Sequence, residues 1–173
     1  MSHIPNQIHQ TWNSALLPEQ GGTLHAAFHV ATDGMLLEAR NAERVALAVT
    51  VSRGSLVVEA PEDHIVLDVE DTYGVQFGGV HDLHITFGDF GTRIYLDGYQ
   101  AFACATNICP SKYAQAGVFH CANEAHIGVE RLECFSEAWT SERIQGSVPV
   151  PQPDIEFAAA YLADKDVKTL HGV

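Results

Sequence analysis

The chain carries a histidine, an arginine and a tyrosine at alternating positions of two neighbouring apolar runs, where they are well placed to meet a ligand. In the run Leu83–Phe87, if Leu83, Ile85 and Phe87 point to one side, His84 and Thr86 point to the other. In Thr92–Leu96 the same parity sends Arg93 and Tyr95 outward while Thr92, Ile94 and Leu96 face a core. Arg131 and Glu133 join that face if Leu132 and Cys134 point inward. Aromatic rings stack on the C–H face of a sugar, and charged groups make directional hydrogen bonds to its hydroxyls. The set His84, Arg93, Tyr95, Arg131 and Glu133 therefore suits a carbohydrate ligand. The same pattern also serves a solvated strand face laced with cross-strand ion pairs.

Other residues suggest other chemistry. Asp68, Glu70 and Asp71 form an acidic run that a glycoside hydrolase would need as paired carboxylates, about 5 to 9 Å apart. Asp33, Asp63, Asp71, Asp89 and Asp97 sit at turn signals and offer the hard oxygen ligands that calcium takes, although aspartate favours turns for its own backbone hydrogen bonds. His120, Cys121, His126 and Cys109 supply soft-metal ligand types, but no spacing rule joins them. The Cys104-x4-Cys109 spacing is loose for a zinc knuckle, and Cys121 and Cys134 complete no second pair. Free thiols are favoured over disulfides, because nothing else in the chain signals export. Trp139 reads as a plug at one end of the domain rather than a ligand platform.

The elements that must hold these residues are strands. Leu24, Ala26, Phe28 and Val30 alternate with smaller or polar residues, as do Val45, Leu47, Val49 and Val51. Further strands are predicted over 55–60, 64–69, 74–77, 82–87, 92–96, 99–104, 117–120 and 126–135. Asp33-Gly34, Arg53-Gly54, Pro61–Asp63, Gly78-Gly79, Gly88–Gly91 and Asp97-Gly98 punctuate them. Asp-Gly between apolar runs is a strong hairpin signal, because glycine accepts the positive φ of a tight turn. About ten short strands with no long helical pattern between them favour an all-β, two-sheet antiparallel sandwich. Residues 1–145 read as that domain, and 146–173 as a tail. Pro149, Pro151 and Pro153 make an extended linker spanning 145–153, and Asp154 caps a short C-terminal helix from Ile155 to about Ala163.

The composition sets limits. Nine Lys and Arg against 22 Asp and Glu leave a net charge of −13, which argues against nucleic acid and against anionic membrane surfaces. A hydrophobic share of 46% with 18% charged residues is globular rather than disordered. No stretch approaches the run of about 20 apolar residues of a membrane span. Met1–Gln20 has no apolar h-region, so the expectation is a cytoplasmic protein or a part of something longer.

Residues Asp82–Ala103 resemble the central hairpins of concanavalin A-like and laminin-G-like lectin domains: an apolar strand, an Asp/Gly turn, a strand ending in Tyr95-Leu96-Asp97-Gly98, then another strand. Residues 127–144 look like the closing strand and trailing turn of such domains. Gly22 through Arg40 is similar to the opening of the lectin-like modules attached to bacterial sialidases and family 32 glycoside hydrolases. The resemblance spans roughly 20–145 and implies a jelly-roll sandwich with ligand held on a concave outer face or on rim loops, sometimes with calcium. It departs at 105–116, a loop with Cys109 that matches no family feature. Concanavalin A-like glucanases carry Glu-x-Asp-x-Glu on one strand, but here Val66 stands at the first position before Asp68 and Glu70, so the nucleophile is missing. The expected function is a non-catalytic carbohydrate-binding module accessory to a catalytic domain in the same or a longer chain. The alternatives are a glycoside hydrolase and a protein-interaction module of the laminin-G type.

Overall fold

The computed structural model describes residues 9–42, 44–69, 77–121 and 127–148. Eleven strands form two antiparallel sheets. In chain order they are β1 His9–Asn13, β2 Gly21–Val30, β3 Gly34–Arg40, β4 Val45–Ser52, β5 Ser55–Ala60, β6 Asp63–Asp68, β7 His81–Gly88, β8 Gly91–Leu96, β9 Tyr99–Cys104, β10 Ala116–Cys121 and β11 Ile127–Phe135. One sheet has six strands in the order β1-β10-β3-β4-β5-β6, and the other five in the order β11-β2-β7-β8-β9. Among the described residues, a 3-10 turn covers Pro110–Lys112 and a short helix, α1, covers Ser141–Ser147. No described helix is long and apolar enough to cross a membrane.

Period-two alternation builds the core. Leu37, Ala39, Leu47, Val49, Leu56, Val58 and Phe119 of the six-stranded sheet meet Leu24, Ala26, Phe28, Leu83, Ile85, Phe87 and Ile94 of the five-stranded one. All are essentially fully buried. Each large apolar side chain so buried contributes about 1.5–3 kcal/mol, enough in sum to hold the two sheets face to face. Trp12 packs its indole on Phe119, with ring centroids 5.3 Å apart. It occupies the space left by Gly117, where a Cβ would lie 2.2 Å from the indole and 2.5 Å from the Arg40 carbonyl.

The hairpins follow the turn chemistry. Arg53-Gly54 and Asp97-Gly98 both adopt positive φ (51° and 79°, 52° and 90°), the conformation of a two-residue primed turn. Gly91 is fixed twice over, by φ +109° and by a carbonyl oxygen of Cys104 that would lie 2.0 Å from a Cβ.

Some expectations need correction. Neither β1 nor β3 is among the strands that the alternation predicts; β3 lies within the stretch Gly22 through Arg40 that carries the resemblance. A bulge between Met35 and Leu37 buries Leu36 and Leu37 together and breaks the period there. Phe77 belongs to no strand, and the rest of the strand expected over 74–77 lies outside the described residues. Gln145–Ser147 close helix α1 rather than opening a linker; Thr140 caps it by accepting a hydrogen bond from the Arg143 N–H. The three prolines and the helix expected at 155–163 lie outside the described residues.

Candidate functional site

Parity assigns the sequence-derived residues of β7, β8 and β11 to the correct side of the five-stranded sheet, away from the core. Cross-strand pairing sets Glu133, His25, His84, Tyr95 and Gln100 in one row across all five strands. Arg93 lies in the next row beside Thr86 and Thr23, and Arg131 pairs with Ala27 on the other side.

That face is not open, which corrects the expectation of an exposed platform. His84 is 1% exposed, Tyr95 0% and Thr86 0%. The chain after β11 folds back over them. Thr23 Oγ1 donates to the Glu137 carbonyl at 2.7 Å and accepts from the Trp139 N–H at 2.9 Å. Trp139 lies against both Phe135 and His84, with centroids at 4.3 and 5.8 Å. The Tyr95 hydroxyl is 3.1 Å from Ser141 Oγ, and Arg143 stacks on the Trp139 ring. Trp139 is thus a plug, as its position suggested, but it plugs a sheet face. Among the five sequence-derived residues, Arg93 and Arg131 are exposed and Glu133 half-exposed. Arg93 stacks on Phe90 at the opposite flank from Arg131.

The row beneath is a charge relay fixed in place. His25 Nε2 is 2.6 Å from Asp82 Oδ1, and its Nδ1 is 3.0 Å from Glu133 Oε1. Burial opposes its charge, but the hydrogen bonds and charges of these two carboxylates outweigh burial and raise its pKa. His84 stacks on His25 at 4.2 Å, nearly parallel. Burial and then the adjacent His25 charge push its pKa down to about 4, against a weaker opposite pull from Asp82.

No described segment covers the outer face of the six-stranded sheet. Here the outward row is His120, Glu38, Ala48, Glu59 and His64, again paired strand to strand. Arg40 Nη1 holds Glu38 Oε1 at 3.1 Å, and Glu59 reaches His64 at 3.2 Å. Val66 stands 53% exposed near the edge. At the β3–β10 seam, Arg40, Asn41, Ala42, Gly117, Val118 and His120 line a shallow pocket of about 470 Å³. Trp12 and Phe119 on these strands are buried in the core, so the pocket offers hydrogen-bonding groups and short apolar side chains rather than a large ring. Sequence reading missed it. The signal was there in the alternation Leu37-Glu38-Ala39-Arg40, which sends the charged pair outward, but the bulge at Met35–Leu37 obscured the strand.

The other candidates disperse. Asp68 accepts from Ser55 Oγ at 2.6 Å on β6, while Glu70, Asp71 and His126 lie outside the described residues. No carboxylate lines the pocket; Glu38 is tied to it through Arg40. Asp97 is engaged by His81 at 2.7 Å and by the Asp82 N–H, and Asp33 accepts from the Arg53 N–H. Among the described residues no group of three or more His, Cys, Asp or Glu gathers as a metal site. The four cysteines are free thiols. Burial pushes Cys109 and Cys121 up to about 11 and Cys134 to about 12.

No family model and no curated protein matches the chain. Solved structures do. The galectin LEC-6 of Caenorhabditis elegans is similar over 78% of this chain and 99% of its own, at 9% identity and a TM-score of 0.54. Trypanosoma rangeli sialidase is similar over 73% of this chain at 12% identity and a TM-score of 0.54. A botulinum neurotoxin type C structure, whose title describes cell entry through two ganglioside molecules, is similar over 80% at 7% identity and a TM-score of 0.59. The chain spans 22% of the sialidase and 38% of the toxin chain. These likenesses identify the fold: a lectin-like jelly-roll β-sandwich.

Proposed function

We propose that this chain is a carbohydrate-binding module whose ligand lies on the outer face of the six-stranded sheet, against Arg40, Glu38 and His120. The observation that carries the reading is the pocket of about 470 Å³ at the β3–β10 seam, on the sheet face that no described segment covers. Arg40 supplies fixed donors and Glu38 fixed acceptors. Because each compensates the other's charge, the pair suits the hydroxyls of a neutral sugar better than a carboxylate or sulfate. The net charge of −13 points the same way. Val118 and Ala42 give short apolar surface for a sugar's C–H face. The galectin and the toxin structure with its gangliosides support the choice of ligand class by analogy of fold.

The module is non-catalytic in this reading: none of the residues lining the pocket is a carboxylate, and Glu38, held by Arg40 beside it, is one where glycoside hydrolysis takes two. It is accessory to a glycoside hydrolase domain in the same or a longer chain, a role for which the sialidase supplies the analogy. A glycan array followed by calorimetric titration tests the reading. The expected result is binding to a neutral glycan that Arg40→Ala weakens at least about tenfold, or roughly 1.4 kcal/mol, with an unchanged melting temperature. No binding to any glycan, or glycan turnover by the pure chain, would overturn it.

A further inference from the structure

The covered face of the five-stranded sheet contains polar atoms that the fold does not satisfy. Both ring nitrogens of His84, Thr86 Oγ1 and Trp139 Nε1 are buried and find no hydrogen-bond partner among the described residues. They belong to one patch: His84 and Thr86 stand two apart on β7, and the Trp139 ring lies over His84. Buried polar atoms are nearly always paired, so four unpaired in one patch mark a closure that gives up hydration. What closes it is slight. Segment 136–147 is held by the two hydrogen bonds at Thr23, the contact between Tyr95 and Ser141, the Trp139 ring on Phe135 and His84, and the buried side chain of Ile144. The strands beneath are joined by continuous ladders.

The charges around His84 are arranged to make its protonation disruptive. The imidazole of His25, on β2, stacks on it at 4.2 Å and sits between Asp82 and Glu133. Asp82 lies on its own strand and Glu133 on β11, where His25 engages both. From β8 come the hydroxyl of Tyr95 and, one row on, the cation of Arg93. From the covering segment come the Trp139 indole and Arg143, whose guanidinium lies 4.3 Å over that indole and 3.7 Å from Glu137. A proton on His84 would place a second positive charge between the His25 ring and the cation-bearing Trp139, with no hydrogen-bond acceptor among the described residues for either ring nitrogen and only the weaker charge of Asp82 in its favour. Lifting Trp139, whose ring lies over His84, opens the imidazole to solvent.

We infer that segment 136–147 is an acid-released strap: protonation of His84 against the stacked His25 lifts Trp139 and helix α1 and uncovers the row Glu133–His25–His84–Tyr95. The release leaves the sandwich core intact. This is independent of the carbohydrate reading, which concerns the opposite sheet.

Hydrogen exchange on the full chain tests it, read as protection factors so that the intrinsic pH dependence of exchange divides out. Protection of the amides in 136–147 is expected to fall between pH 7 and pH 4.5 while β7 and β8 keep theirs. His84 titrates near 4 when covered, and uncovering removes the effect of burial but not the charge of the stacked His25, so the fall is several-fold to at most roughly fiftyfold. In His84→Phe, which keeps an aromatic ring and loses the proton site, the fall should shrink below about threefold. If that variant does not fold, His84→Gln gives the same readout. Strap protection that does not change with pH, a fall as large in the variant as in the parent, or simultaneous loss in strap and core strands would each overturn the inference.

Discussion

His84 and His25 divide the pH axis between them. The unfolded chain titrates His84 near 6.5 and the folded chain near 4, so between those values the unfolded state binds the extra proton and stability falls as pH falls. The full effect is about 3 kcal/mol, since one pKa unit is worth about 1.4 kcal/mol. His25 acts in the opposite sense. Its folded pKa is raised, so its contribution is complete below 6.5 and is lost as pH rises through the folded value. Urea unfolding at pH 7 and pH 4.5 checks the first effect. The parent should lose more stability on acidification than His84→Phe, by about 2 kcal/mol or more, and equal losses would contradict it. The thiols are the second test at this scale. Burial keeps Cys109, Cys121 and Cys134 protonated near neutrality, and the thiolate is the reactive form. Ellman's reagent at pH 8 should therefore find at most one thiol quickly in the native chain and four after denaturation.

At the scale of elements, the covering segment decides what the sheet face does. Tyr95 was legible as an outward residue but not as a buried one, because parity reports a side of a strand and not what lies on that side. Burial on the outer face of β7 is written far along the chain, in Trp139, which lies over His84, and no local period carries that information. The strands with clean alternation, β2, β4 and β8, were readable, and so were the Arg53-Gly54 and Asp97-Gly98 turns, where a single residue type meets a single backbone demand. β3 was blurred by its bulge and β1 by its shortness, and with them went the pocket at Arg40 and His120. Tyr95→Ala is accordingly expected to act on folding. Removing a fully buried ring costs about 3 kcal/mol or more, which for a chain of this size lowers the melting temperature by roughly 10 °C. An unchanged melting temperature in differential scanning calorimetry would show that the face is open. Thr140→Ala removes the cap of helix α1 and should cost about 1 kcal/mol, read as faster exchange of the Arg143 amide with core strands unaffected.

For the whole molecule, the two sheets have unequal outer surfaces. The middle of the five-stranded sheet is closed by its own chain, whereas no described segment covers the outer face of the six-stranded sheet, which carries a charged pair and a pocket at one seam. The net charge of −13 disfavours polyanions, which agrees with the neutral, hydroxyl-rich ligand proposed for this face. The central claim is the location of that ligand. Backbone amide shifts recorded during titration with the strongest glycan from an array measure it directly. The account predicts that the perturbations cluster on β3 and β10, at Glu38, Arg40, Val118 and His120, and leave His84 and Tyr95 unmoved. Perturbations centred on Arg93, Arg131 or the covering segment, with β3 and β10 silent, would contradict it.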